Sequence, residues 1–187
     1  SACLVGSEMC IRDRSSGVSF VASAGQGLSW FQSEGYAKLL KEVEKAEGSL
    51  PVAVVFNLGV NDMANASNYV SYMTNIASTL KSKNCKLFYM SVNPLNSTMI
   101  TKAGKGSRTE AQVREFNSKI RSGLSANYKY IDTYSVLMKT GYGTNASYNG
   151  EDSVSDDGLH YTTKTFKRIY YYCVIYLNTG SIDSFYY

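Results

Sequence analysis

The chain contains a single histidine, His160, so any imidazole chemistry rests on that one residue. No apolar stretch reaches the ~18 residues that a bilayer span requires, which excludes a membrane-spanning helix in this sequence. No run of Lys or Arg is long enough to track a phosphate backbone, and the formal charge of +4 is the balance of 19 basic and 15 acidic residues; nucleic acid is not expected as a partner. The four cysteines form no C-x-x-C pair and have no histidine cluster beside them, so no zinc or other metal is expected. No glycine-rich loop with a following Lys succeeds the first strand-like run, which argues against a phosphate- or nucleotide-binding loop. The first residues also lack the order of a signal peptide. The chain opens inside the strand-like run Ala2-Cys3-Leu4-Val5, so a leader is expected upstream of residue 1.

What is present points to one folded body. A length of 187 residues with 44% hydrophobic content suits a single domain spanning residues 1–187, and no internal repeat or low-complexity linker divides it. Short β-type runs at 2–5, 18–22, 52–58, 86–92 and 128–131 alternate with helical patterns at 36–47, 65–83, 109–124 and 162–177. The run Val52-Ala53-Val54-Val55-Phe56-Asn57-Leu58 is nearly continuous in apolar character, as in a parallel strand buried on both faces. Thr109 with Gln112 makes a capping box at the start of the third helix. Five strands joined by helical crossovers predict an α/β fold, a doubly wound three-layer sandwich. Cys3 and Cys85 fall in strands and Cys173 in a helix, where free cysteine behaves as a small buried hydrophobe.

In sheets of this type ligands bind beyond the carboxyl ends of the strands. The polar and glycine positions fall there: Gly6-Ser7 after the first strand, Ala24-Gly25-Gln26-Gly27 after the second, Gly59-Val60-Asn61-Asp62 after the third and Asn93-Pro94 after the fourth. Asp157 and His160 precede the last helix. A carboxylate at this spacing reaches Nδ1 of the imidazole and leaves Nε2 toward a nucleophile, the arrangement that acyl transfer by serine requires. Asn61 brings a side-chain amide donor, and Gly25 a backbone N–H in a loop with no Cβ to obstruct substrate. Taken singly, Asp-x-x-His is also an ordinary helix start, and Gly and Asn are ordinary turn residues.

Together these residues resemble the SGNH hydrolases, also called GDSL-type esterases and lipases. Gly59, Asn61 and Asp62 match the Gly-x-Asn-Asp block, Asp157 and His160 match Asp-x-x-His, and Gly25 is similar to the single-glycine block, with Gly27 as a competing choice. The runs Ser91-Val92-Asn93-Pro94 and Tyr130-Ile131-Asp132-Thr133-Tyr134 also resemble small bacterial members. The resemblance implies a flavodoxin-like three-layer α/β/α sandwich with a five-stranded parallel sheet and no cofactor. It also implies a serine esterase acting on short acyl esters, especially acetyl esters of carbohydrate or cell-wall polymers. Ser7 is then the nucleophile, His160 the base and Asp157 its orienting partner, with Ser7, Gly25 and Asn61 around the oxyanion. Trp30, Asp62 and Tyr161 are the candidate substrate contacts. A small-molecule or carbohydrate ester is the expected partner, and a bacterial extracellular or cell-envelope location the expected setting. Neither the particular ester nor the oligomeric state is fixed by these residues.

The first block departs from the family. Where the pattern has Gly-Asp-Ser, this chain reads Gly6-Ser7-Glu8. In one reading Ser7 is the nucleophile of a turn shortened by one residue. In the other, Ser7 to Arg14 is foreign to the fold, resembling translated sequencing-adapter read-through, and the domain is an inactive glycan-binding relative.

Overall fold

The computed structural model describes residues 2–6, 17–46, 48, 50–139 and 157–182. Its strands are β1 (Ala2–Gly6), β2 (Val18–Ala22), β3 (Val52–Asn57), β4 (Cys85–Met90) and β5 (Lys129–Ile131). They form one five-stranded, all-parallel sheet in the order β2-β1-β3-β4-β5. The α/β class and the parallel sheet are those the sequence predicts. This strand order places the topological switch point between β1 and β3, where Gly6 stands in register with Asn57. The two strands approach closely there: a Cβ on Gly6 would lie 3.1 Å from the Asn57 carbonyl oxygen.

The chain resolves into two compact units, one of Ser1–Met90 with Phe116–Tyr130 and the other of Ser91–Glu115 with Ile131–Tyr187. In the first, β3 owes its central place to composition: Val54, Val55 and Phe56 are wholly buried, each worth about 1.5–3 kcal/mol of apolar burial. After β2 a continuous helical segment runs through α1 (Leu28–Trp30), a π-helical turn (Phe31–Gly35) and α2 (Tyr36–Lys45). Leu39 and Val43 form the buried stripe of α2. Phe31 packs edge-on against Phe56 at 5.6 Å. Helix α3 (Ala66–Ser82) buries Tyr69, Met73, Ile76, Ala77 and Leu80, the spacing of one helical face. Tyr128 donates its hydroxyl to the Met73 carbonyl at 2.7 Å. The turn into β4 puts Asn84 at φ 57°, a left-handed conformation that Asn tolerates better than most residues.

The second unit contains α4 (Ser97–Lys102), the first part of α5 (Glu110–Gly123), α6 (Thr133–Lys139) and α7 (Thr163–Thr179). The predicted capping box is formed: Thr109 N–H donates to Gln112 Oε1 at 2.8 Å and Gln112 N–H to Thr109 Oγ1 at 3.3 Å. Helix α7 is capped by Thr162 and stops at Gly180 in the left-handed region, φ 78°. Among the described residues Cys3, Cys85 and Cys173 are buried thiols with no disulfide between them, and no helix is long and apolar enough to cross a membrane.

Candidate active site

In the first unit, the loops that leave β2 and β3 are tied to each other by the Asn61-Asp62 pair. Asn61 Nδ2 donates to the Gln26 carbonyl at 3.0 Å. The Asp62 carboxylate accepts the Leu28 N–H on Oδ2 at 2.9 Å and the Tyr69 hydroxyl on Oδ1 at 2.5 Å. The bond from Leu28 supplies an acceptor to the first-turn amide of α1, where a carboxylate also suits the positive pole of the helix. The second ties the loop to buried Tyr69 on α3.

This arrangement separates the two candidate glycines. Gly27 has ordinary extended φ, but a Cβ there would sit 2.4 Å from Asp62 Oδ2, so it is the residue that lets the two loops close. Gly25 has φ +71°, is exposed and has open space around its Cβ position, so backbone conformation alone demands glycine. Gly59 is held by both constraints. Its φ is +120°, and a Cβ would lie 2.2 Å from the ring of buried Phe116. That ring packs edge-on against Tyr69 at 5.3 Å, and Tyr89 donates to the Leu58 carbonyl at 3.0 Å, fixing the exit from β3. Trp30 lies buried against Gly35, with the Lys38 ammonium 5.8 Å above its ring.

In the second unit, Asp157 and His160 form a compact pair. His160 Nδ1 and Asp157 Oδ2 are 2.5 Å apart. The other oxygen, Oδ1, accepts the backbone N–H groups of Leu159 and His160, each at 2.9 Å. Burial alone raises the Asp157 pKa, but the backbone and side-chain hydrogen bonds from His160 and the Leu159 N–H outweigh it, and the carboxyl is held well below the usual range. An ionised carboxylate with one oxygen bound to its own turn and the other to Nδ1 fixes both the orientation and the tautomer of the ring, leaving Nε2 as the reactive nitrogen.

The turn carrying this pair rests on the segment after β4. Asn96 N–H donates to the Gly158 carbonyl at 2.8 Å. Gly158 has φ +73°, and a Cβ would come within 2.5 Å of the Asn96 carbonyl oxygen. The Tyr161 hydroxyl donates to the Pro94 carbonyl. Leu95 N–H donates to Glu110 Oε2 at 3.3 Å, and Glu110 Oε1 accepts the Tyr134 hydroxyl. Burial raises the Glu110 pKa, while that of Tyr134 is pushed up to about 12 by burial and by the neighbouring Glu110.

The family model of GDSL-like lipases and acylhydrolases matches residues 11–172. This chain belongs to that family. In fold, the GDSL-like chain is similar to the protein YxiM of Bacillus subtilis, with a TM-score of 0.67 and 18% identity over 96% of this chain and 56% of that one. It is also similar to the acetyl xylan esterase AlAXEase, with a TM-score of 0.65 and 11% identity over 96% and 100% of the two chains. The psychrotrophic esterase EstA from Pseudoalteromonas sp. gives 0.55 and 14% over 95% and 99%. At these identities the likeness is one of fold. No curated protein sequence matches the chain.

For this GDSL-like chain, the structure brings Gly25, Asn61 and Asp62 together within one unit, and Asp157, His160 and Tyr161 within the other. Ser7 lies outside the described residues and before the span that the family model matches. Sequence reading missed Tyr69, Phe116, Gly158 and Glu110 as supports of these loops. Tyr69 and Phe116 carry only a helical-face signal in sequence, and nothing local indicates that a hydroxyl seven positions along would find Asp62.

Proposed function

We propose that the chain is a serine esterase that hydrolyses short acyl esters, chiefly acetyl esters on carbohydrate or cell-wall polymers, outside the cell or in the envelope of a bacterium. The observation that carries this reading is the Asp157-His160 pair, with its 2.5 Å contact at Nδ1 and its backbone-bonded carboxylate. Family membership and the fold likeness to esterases support it.

In this mechanism Ser7 Oγ attacks the acyl carbonyl while His160 Nε2 takes its proton, and Asp157 stabilises the imidazolium that forms. The tetrahedral oxyanion is met by the N–H groups of Ser7 and Gly25 and by Asn61 Nδ2, whose bond to Gln26 fixes the plane of its amide. Collapse breaks the ester C–O bond, and the leaving alkoxide takes the proton from the imidazolium. Water then repeats the cycle on the acyl-serine and releases the carboxylic acid. Asp62 serves the site by holding the Gly25 loop against Asn61, and Trp30 and Tyr161 shape its surroundings.

The test is hydrolysis of p-nitrophenyl acetate and of acetylated xylan by the wild type and by His160→Ala and Ser7→Ala. The wild type hydrolyses the chromogenic ester, and each variant loses about 100-fold or more in kcat/KM. Fluorophosphonate labels Ser7 in the wild type. Turnover undiminished in His160→Ala refutes the proposal. A wild type that resists fluorophosphonate yet binds polysaccharide saturably is instead a non-catalytic glycan-binding member.

A further inference from the structure

His160 is flanked by two anchors on one short segment. Two positions before it, the Gly158 carbonyl accepts the Asn96 N–H; immediately after it, the Tyr161 hydroxyl donates to the Pro94 carbonyl. The intervening residue, Leu95, is buried, and its N–H donates to Glu110. The segment is therefore held on its far side by α5, and Glu110 is itself held by the Tyr134 hydroxyl from α6. Asn96 also caps α4, accepting the Met99 N–H at 3.0 Å. Ser91, at the head of the segment, accepts the Tyr134 N–H at 2.8 Å and lies 3.0 Å from the Thr133 hydroxyl, while Thr133 donates to Asn93 at 2.6 Å. Ser91, Asn93, Leu95 and Asn96 are therefore each tied to the first turn of a helix.

We propose that Tyr161 and Glu110 are positioning residues for His160, acting through the Pro94–Asn96 segment to hold the imidazole on Asp157. The catalytic consequence rests on the esterase reading; the geometric one does not. The Asp157-His160 contact is closed through the backbone of 158–160, and its oxygen-to-nitrogen separation depends on that backbone keeping its present turn. Gly158 alone cannot enforce that, because a glycine at φ +73° has other conformations open to it. Fixing the carbonyl of Gly158 and the side chain of Tyr161 to one rigid segment removes that freedom from both sides. Tyr161 is also seated by Phe166, edge-on at 5.8 Å, so its ring stays in place when only the hydroxyl is removed. Glu110, half-buried, provides the far end of the bracket.

The experiment uses the full chain and the fact that it holds a single histidine, so that imidazole N–H and C–H resonances need no assignment among rivals. Solvent exchange of the His160 Nδ1–H is measured by ¹⁵N-edited NMR in the wild type, Tyr161→Phe and Glu110→Gln, with Tyr171→Phe on the exposed side of α7 as control. Tyr161→Phe should exchange this proton about tenfold faster, Glu110→Gln by a smaller factor, and Tyr171→Phe at the wild-type rate. If the wild type hydrolyses p-nitrophenyl acetate, Tyr161→Phe should also lose about tenfold in kcat with KM within about twofold, the pattern of a misplaced reacting group rather than lost binding. A folded Tyr161→Phe with wild-type exchange overturns the proposal. Should Tyr161→Phe fail to fold, the Glu110→Gln exchange rate decides: faster exchange supports the bracket, and the wild-type rate overturns it. A wild type without esterase activity but with accelerated exchange in Tyr161→Phe refutes the esterase reading and leaves the positioning role standing.

Discussion

Replacing Tyr69 with Phe removes one oxygen from the interior and, with it, the 2.5 Å bond to Asp62 Oδ1. The ring stays, and so does its edge-on contact with Phe116 at 5.3 Å, so the loss is almost wholly that of the hydrogen bond. A bond to a charged acceptor contributes about 1.5–3 kcal/mol net, and for a chain of this size that corresponds to a Tm lower by about 3–12 °C. Part of any such loss could come from general loosening of α3, and a double-mutant cycle separates the two. Asp62→Asn keeps the shape but removes the charge, so Tyr69→Phe in that background should cost only about 0.5–1.5 kcal/mol, the value for a neutral bond. Urea denaturation of the four proteins gives the coupling energy directly, and about 1 kcal/mol or more is expected. Coupling below about 0.5 kcal/mol, the level at which independent sites add, refutes the claim that Asp62 is held through Tyr69. Under the esterase reading the same variant also lowers kcat, because Asp62, which holds the loop that carries Gly25, loses its anchor on α3.

The remaining predictions concern pH, backbone and thiols. Because the Asp157 pKa is depressed in the folded state, its contribution to stability is present in full above about pH 4 and is lost as pH falls through the folded value. Urea denaturation between pH 3 and 6 should show Asp157→Asn less stable than wild type at pH 6, with the gap narrowing below about pH 4; a gap independent of pH refutes this. Gly59→Ala meets both a left-handed φ of +120° and the Phe116 ring at 2.2 Å. It should destabilise by about 2–6 kcal/mol, and a thermal shift equivalent to under about 1 kcal/mol contradicts the packing described. Burial raises the thiol pKa to about 11 for Cys3 and about 12 for Cys173. Neither should take up iodoacetamide at pH 8 until urea unfolds the chain, as read by peptide mass mapping; native labelling at the unfolded rate refutes their burial.

The parts of the molecule that were legible in sequence are those whose cause is local. A nearly continuous apolar run announced β3 over 52–58, and the strand occupies Val52–Asn57. The helix predicted over 65–83 is α3, Ala66–Ser82. Thr109 and Gln112 marked the start of α5 because both partners lie within one turn. Asp157 and His160 were paired on the same ground. What went unread depends on distant partners. The segment Leu28-Ser29-Trp30 has no amphipathic repeat, and its first turn is held by Asp62, 34 residues away. Helix α4, over Ser97–Lys102, has six residues and leans on Asn96 and on the close approach of Gly158. Helix α6 did carry a local signal, since Asp132 accepts both the Ser135 N–H and its hydroxyl at 3.0 and 2.8 Å. Its seven residues show too little periodicity to outweigh the neighbouring strand pattern.

The two units are not consecutive in the chain, which leaves the first after Met90, returns at Phe116 and leaves again after Tyr130. On a ribosome adding about 5–20 residues per second, the 40 residues from Met90 to Tyr130 take about 2–8 s to appear. Through the first part of that interval β1 to β4 exist without Phe116, the ring that fills the space above Gly59, and through nearly all of it without Tyr128, the donor to the Met73 carbonyl. The sheet must therefore wait, partly uncovered, for a segment made after the chain has already begun the second unit. No single cut in the gene separates the two units, because each has a segment lying within the span of the other.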